Sequence, residues 1–295
     1  MENKDPFDDL ENHDGSAVEN ISLDDYGVVL PPKHNKIALI DADTVAFTAC
    51  LAAEEETTEF DENNNEVAVF VGDPLEALQN AEDKIQRILD RTGCQTAELY
   101  FTGGRENFRY VIFPDYKANR RGPKAQRAPV NLAEVKQLLL ERYEGNIATG
   151  WEADDMVVYL KKHNPDKYIM CAVDKDVLNS VPGEHFNYYE SSQRNKDMTF
   201  VEVSEKQAKM WPYLQTILGD TSDNVPGCKG IGIAKAAKFI NEDMTEEELW
   251  DGVLTAYSSK GMTAEQAQLT MQLVNMHTLA EVNGKLQVQL WQGVK

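Results

Sequence analysis

The stretch KIALIDADTVAFTACLAA, residues 36–53, decides the fold class. Its apolar run Ile37–Ile40 ends at Asp41, Asp43 follows, and Thr44–Ala53 continues with helical spacing. A short apolar run closed by a polar residue reads as a strand buried on both faces, and the run behind it as a helix. Together they open an α/β domain. In an open parallel sheet, ligands gather at the carboxyl ends of the strands, where Asp41 would stand. Asp43 reads first as a helix cap. Asp41 reads equally as a strand end or a ligand.

The same pattern recurs along the chain. AELYF (97–101) and KYIMCAV (167–173) read as further core strands. Pro74–Thr92 places Leu75, Leu78, Ile85, Ile88 and Leu89 at helical spacing, and Asn131–Glu144 is a helix with Asn131 as its cap. Trp151–His163, Ser204–Leu218, Glu246–Tyr257 and Ala264–Leu279 read as helices. Glu66–Val71, His185–Glu190, Met198–Val201 and Leu286–Trp291 read as short strands. Glu54–Asn65 reads as an acidic loop, and residues 102–127 form no clean element.

Acidic residues mark the ends of these elements. WEADD (151–155) puts Glu152, Asp154 and Asp155 at a helix start. The helix macrodipole favours acids there, yet Glu152 and Asp155 share a face and repel unless a cation intervenes. Asp174 and Asp176 follow the KYIMCAV strand; if the backbone stays extended they point the same way. The stretch LGDTSDNVPGCKGIGIAKAAKFI (218–240) carries Asp220 and Asp223, then the Gly230-Ile231-Gly232 turn before an Ala/Lys-rich helical run. A Gly-x-Gly turn ahead of a helix exposes backbone N–H groups that suit a phosphate. Each acid pair has a bland explanation alone. Four such clusters in one chain point to an oxygen-ligated hard cation such as Mg²⁺ or Mn²⁺.

Composition sets the bounds. The 295 residues suffice for one large domain or two smaller ones, and the apolar runs are too short to span a bilayer. The acidic N-terminus lacks an apolar core, so it is not a signal peptide, and the expected location is cytoplasmic. Cys50, Cys94, Cys171 and Cys228 form no C-x-x-C pair, which argues against zinc and for reduced thiols. The formal charge is −21, but it is unevenly spread. Residues 1–36 hold nine acids against three bases. Residues 103–127 hold Arg105, Arg109, Lys117, Arg120, Arg121, Lys124 and Arg127 against Glu106 and Asp115, with Phe108, Tyr110, Phe113 and Tyr116 interleaved. Alone, this segment reads as a solvated charged loop with a few packing aromatics. Beside the acid clusters it reads as a nucleic-acid arch, in which cations neutralise phosphates and aromatics stack on bases.

In that order, IDAD (40–43), FRYVIFPDYKANR (108–120), WEADD (151–155), VDKDVLNSV (173–181) and LGDTSDNVPGCKGIGIAK (218–235) resemble the 5′→3′ exonucleases and flap endonucleases. The closing LQVQLW (286–291) is similar to the exonucleases of short-tailed phages. The resemblance implies a PIN/FEN-like α/β fold: a mostly parallel central sheet flanked by helices, a helical arch, and a C-terminal helix–three-turn–helix DNA-binding region. Residues 1–35, rich in Asp, Glu and Asn and without periodicity, read from composition as an acidic, disordered tail. The resemblance divides the rest into a nuclease core (36–203) with its arch at 103–127 and a helix–three-turn–helix region with C-terminal helices (204–295).

The resemblance also implies roles. Asp41, Glu152 and Asp154 would hold one Mg²⁺ or Mn²⁺, and Asp155, Asp174, Asp176, Asp220 and Asp223 would hold or surround a second. Lys117 and Arg120 match the cations on the scissile phosphate. Tyr116 matches an aromatic that stacks on a terminal base, with Arg109 and Arg121 as further DNA contacts. Gly230, Gly232 and Lys235 match the duplex-binding turn, which in the family often holds K⁺. The implied partners are double-stranded DNA with a 5′ end or flap, RNA–DNA hybrids, and phage replication proteins such as a single-strand-binding protein, with a monomeric chain and no membrane.

Three departures stand out. The family's F-D-G appears as Phe101-Thr102-Gly103, so one carboxylate is missing, and Asp43 is the candidate to compensate. Ala234 stands where the family often has Lys, with Lys235 one residue later. The acidic tail has no counterpart. Two other readings remain: a DNA-structure-binding protein with little catalysis, and a PIN-like ribonuclease, against which the Gly-x-Gly element counts.

Overall fold

A computed structural model describes residues 30–121, 127–190 and 198–294. In chain order it runs β1 (His34–Asp41), α1 (Asp43–Ala52), β2 (Glu54–Phe60), β3 (Glu66–Gly72), α2 (Pro74–Thr92), β4 (Cys94–Asn107), α3 (Phe108–Ile112), α4 (Leu132–Leu140), β5 (Glu144–Gly150), α5 (Ala153–His163) and β6 (Tyr168–Ala172). It continues through α6 (Lys175–Leu178), β7 (Gly183–Asn187), β8 (Thr199–Val203), α7 (Glu205–Leu218), β9 (Gly219–Asp220), β10 (Val225–Pro226), α8 (Ile233–Ala236), α9 (Glu246–Ser258), α10 (Ala264–Val274), β11 (Leu279–Val282) and β12 (Lys285–Val288).

The main sheet has the order β5-β4-β1-β6-β7-β8, parallel except for β8. Its central strands are apolar on both faces because helices cover both. Strand periodicity sends Ala38 and Ile40 of β1, with Ile169 and Cys171 of β6, into the core shared with α1, α2 and α4. Leu39, Tyr168, Met170 and Ala172 pack on the opposite face, against α5 and α6. Burying each such large aliphatic side chain contributes about 2 kcal/mol. A separate apolar cluster joins α7, α8, α9 and α10.

The structure adds elements the pattern reading lacked. β5 occupies an edge of the sheet, yet EGNIATG has no apolar run. Its Gly145 is required there: φ is +141°, and a Cβ would stand 1.8 Å from the Leu99 carbonyl oxygen of β4. The acidic "loop" 54–65 is largely a strand, β2, which pairs antiparallel with β3 through a turn held by the Asp61 carboxylate. Few of the hairpin's side chains are buried, so no alternation betrays it. The hairpin is tied to the end of the 103–127 segment: Arg127 stacks on Phe70 and ion-pairs with Glu54.

Residues 102–121, expected to lack structure, carry the end of β4, then α3 and a 3₁₀ turn at Ala118–Arg120. Residues 122–126 of the expected arch, with Lys124, and most of the expected acidic tail lie outside the described residues. Asn131 does not cap α4 with its side chain, which instead donates to the Gly72 carbonyl.

Candidate active site

Strand carboxyl ends and helix starts converge on one edge of the sheet. Asp41 closes β1, Glu152 caps α5, Asp154 lies in its first turn, Asp174 caps α6, and Asp176 lies in that helix's first turn. The extended D-x-D geometry expected for 174–176 is absent, because the Asp174 carboxylate turns back to accept from the Asp176 N–H (2.7 Å). Asp220 ends β9 and Asp223 lies in the turn between β9 and β10.

Electrostatics tie these acids together. Burial, then the Asp43 charge and Asp174, push Asp41 up to about 7, with the adjacent Asp154 carboxyl opposing part of the rise. Asp154 is raised by burial and by Asp41, Glu152 and Asp174. Desolvation raises Asp174, with Asp220 and Asp223 adding to it. Asp176 is pushed up to about 7 by burial and Asp174. Glu152 goes the other way: burial disfavours its charge, but Lys117 and Arg109 outweigh burial and hold it low.

The cations sit directly against this edge. Lys117 Nζ is 2.6 Å from Glu152 and 3.5 Å from Asp223, and Arg120 Nη2 is 2.6 Å from Asp223. Lys117 adopts φ +53°, a conformation non-glycine residues rarely take. It is held there by its own N–H, which donates to the Asp223 carbonyl at 2.8 Å. Asn119 also donates to the Thr221 and Ser222 carbonyls, so the 115–121 segment lies folded on the acidic turn.

Could this edge hold a divalent cation? Among the described residues no three acid, histidine or cysteine side chains stand in a ready-made coordinating array. Lys117, Arg120 and Tyr116 instead occupy Glu152 and Asp223. The donor set nevertheless suits a hard cation: it is all oxygen, Asp41 Oδ1 is buried without a partner, and the neighbouring carboxyls are raised by burial and then by one another. Asp41, Glu152, Asp154, Asp174, Asp176, Asp220 and Asp223 are the residues that could hold it.

A family model described as the 5′-3′ exonuclease N-terminal resolvase-like domain matches residues 36–209. The chain belongs to the 5′-3′ exonuclease family. The 5′-3′ exonuclease of Bacillus subtilis is 29% identical over 194 residues, 61% of this chain and 62% of that protein. DNA polymerase I of Caldicellulosiruptor bescii is 27% identical over 238 residues, 74% of this chain and 26% of that one. The chain thus spans about a quarter of the length of the polymerases it matches. In fold it is similar to the T5 D15 protein co-crystallised with metal ions (TM-score 0.58, 18% identity, 82% of this chain, 90% of that one).

Within this exonuclease-family fold, two expected roles are corrected and a third is narrowed. Of the two roles expected for Asp155, its contacts leave the outer one, holding its neighbours in place, and not that of a ligand. Its Oδ1 accepts from Arg109 Nη2 (2.7 Å) and Thr278 (3.0 Å), and its Oδ2 from Arg109 Nη1 (2.6 Å) and the Glu152 N–H (3.0 Å). All its lone pairs are used. Arg109 is no DNA contact: it is fully buried, and its Nε donates to the Leu273 carbonyl at 2.8 Å. Tyr116 cannot stack on a base, because its ring is 2% exposed. Its hydroxyl lies 2.8 Å from Glu152 and 2.7 Å from Asp223.

Asp43 is also engaged elsewhere. The Thr102 N–H donates to it at 3.0 Å and Lys136 Nζ pairs with it at 2.6 Å. Thr102 Oγ1 accepts from the Ala153 N–H at the start of α5. Arg121 is exposed but folds back onto the Tyr116 carbonyl.

Gly230 and Gly232 are exposed with open space around them, and Gly230 needs its φ of +74°. The helical run expected after them is the single turn α8, too short for an appreciable macrodipole, and Lys235 folds back to the Gly230 carbonyl at 3.1 Å. The sequence reading missed Gln215, whose amide donates to Asp176. A polar residue between Leu214 and Ile217, on the buried face of α7, was the available signal.

Proposed function

We propose that this chain hydrolyses phosphodiester bonds near the 5′ end of duplex DNA, as a metal-dependent 5′→3′ exodeoxyribonuclease and 5′ flap endonuclease. The observation that carries this is the meeting of seven carboxylates from four segments with Lys117 and Arg120 at one sheet edge. Two divalent cations, Mg²⁺ or Mn²⁺, held by Asp41, Glu152 and Asp154 and by Asp174, Asp176, Asp220 and Asp223, would supply an activated water and charge stabilisation at the leaving oxygen.

The chain's own residues do the rest. A phosphate arriving at this edge offers Lys117 and Arg120 an anion in place of Glu152 and Asp223. The Lys117 ammonium and Arg120 guanidinium then stabilise charge developing on the phosphate, and Glu152 and Asp223 become available as ligands. The exposed backbone at Gly230–Gly232, with Lys235 swung off its carbonyl, grips the duplex, and carbonyls of that turn suit K⁺. We read residues 36–203 as the nuclease core and 204–295 as the duplex-binding region. The reading extends to RNA–DNA hybrids and to phage DNA replication, recombination or host-DNA degradation in the cytoplasm, beside a single-strand-binding protein.

The test is a product ladder from 5′-flap, blunt, nicked and RNA–DNA substrates with Mg²⁺ and with EDTA. Products carrying 5′-phosphates and growing only with Mg²⁺ are expected. Lys117→Ala should slow the chemical step by about 10²-fold with a smaller loss of binding; equal losses would demote Lys117 to a backbone anchor.

One observation favours a second reading, a DNA-structure-binding protein with weak catalysis. Thr102 brings no charge, and Asp43 is neutralised by Lys136. Binding without cleavage in the same ladder would decide for it.

A further inference from the structure

We propose that Gln215 is a positioning residue for the acid cluster: its side-chain amide fixes the Asp176 carboxylate, and through it helix α7 sets the affinity of the second cation site. The inference rests on the metal-dependent reading above.

Gln215 is 2% exposed and lies in the last turn of α7, between Leu214 and Ile217 of an apolar core. A buried primary amide is costly unless its hydrogen bonds are made. On packing alone a Met or Leu would suit this position better. Its Nε2 donates to Asp176 Oδ1. The backbone of Asp176 is separately fixed: its N–H donates to Asp174 Oδ1 at 2.7 Å and its carbonyl accepts from the Ser180 hydroxyl at 2.5 Å. Neither contact orients the carboxylate. Among the described residues, the hydrogen bond that does so comes from Gln215.

The geometry is that of an outer partner to a ligand. A donor on Oδ1 leaves Oδ2 to face the cation and removes rotational freedom that binding would otherwise have to freeze. Loss of such a partner typically weakens metal affinity by about 10–100-fold. The position also matters. The helix that carries Gln215 runs into β9, which supplies Asp220, and on to the turn at Gly230. The helix that leads to the turn proposed to grip DNA is therefore hydrogen-bonded to the acid on α6, which gives seating of the duplex a covalent path, through α7, to the orientation of Asp176.

The experiment is a melting-temperature titration of the full chain with Mg²⁺ or Mn²⁺ and no DNA, so that activity is not the readout. Gln215→Met keeps the volume and removes the donor. It should raise the cation concentration at half-maximal stabilisation about tenfold or more while the metal-free melting temperature stays near that of the wild type. Gln215→Asn, with a shorter amide, should fall between, and it serves the comparison if the Met variant does not fold. In an Asp176→Asn background, Gln215→Met should move the midpoint no further. A midpoint within twofold of wild type, or an undiminished shift in the Asp176→Asn background, would overturn the role of Gln215. A wild type whose melting temperature ignores both cations would instead remove the metal reading beneath it.

Discussion

At the scale of single residues, the active edge is defined by what holds each carboxylate. Tyr116 shows this best. Its hydroxyl has one proton and two carboxylate neighbours, Glu152 and Asp223, from opposite sides of the cluster. Burial and the surrounding acids raise the phenol far above its ordinary value, so it acts as a donor and never as a phenolate. Tyr116→Phe keeps the ring and deletes the donor. Hydrogen bonds to charged groups are worth about 1.5–3 kcal/mol, so cleavage should fall about tenfold or more with duplex affinity nearly unchanged. Single-turnover kinetics and a binding isotherm in Ca²⁺ check this. If Tyr116 worked by stacking, phenylalanine would be silent. Sequence alone could not make the distinction, since an aromatic among cations looks the same whether it faces a base or the core. Arg109 misled for the same reason: its charge serves Asp155 inside the protein.

At the scale of elements, legibility followed burial. α2 is readable residue for residue because one face is buried and the other is solvated, with Asp73 capping and Gly93 closing it. β1 and β6 are readable because sheet and helices bury both faces. β5 is not, since a strand that admits glycine for backbone contact has no apolar signature. β2 fails for the opposite reason, its side chains being mostly in water. This assigns Gly145 a specific cost. Alanine there needs both a disfavoured φ of +141° and displacement of the Leu99 carbonyl, breaking the β4–β5 register that sets the approach to α5. Gly145→Ala should destabilise the chain by more than about 2 kcal/mol, whereas Gly104→Ala, whose Cβ would meet open space, should cost about 1–2 kcal/mol, from its backbone alone. Denaturant midpoints of the two variants provide the measurement, and equal losses would refute the packing argument.

At the scale of the whole molecule, the acid cluster makes the metal-free fold sensitive to pH in a defined window. Asp41 and Asp176 are pushed up to about 7, from about 3.9 in the unfolded chain. The folded chain therefore holds protons that the unfolded chain releases. The stability this confers is complete below about pH 4 and is lost as pH rises through about 7. His185 and His277 titrate with the opposite sign. Burial pulls each down to about 4, so their contribution is present above about 6.5 and lost as pH falls through about 4. Below about 6.5 the two effects oppose each other; above it the histidines are neutral in both states and only the carboxyls remain. In EDTA the melting temperature should therefore fall as pH climbs from about 6.5 to about 8, with the net charge of −21 adding self-repulsion. On the metal-dependent reading proposed above, Mg²⁺ or Mn²⁺ would bind the ionised carboxylates of the folded chain, so it should raise the melting temperature more at about pH 8 than at about pH 6.5 and flatten the slope. Calorimetry at the two pH values, with and without metal, measures both effects. A flat profile in EDTA would contradict the raised carboxyls, and a slope that the cations leave untouched would remove these acids from the metal site.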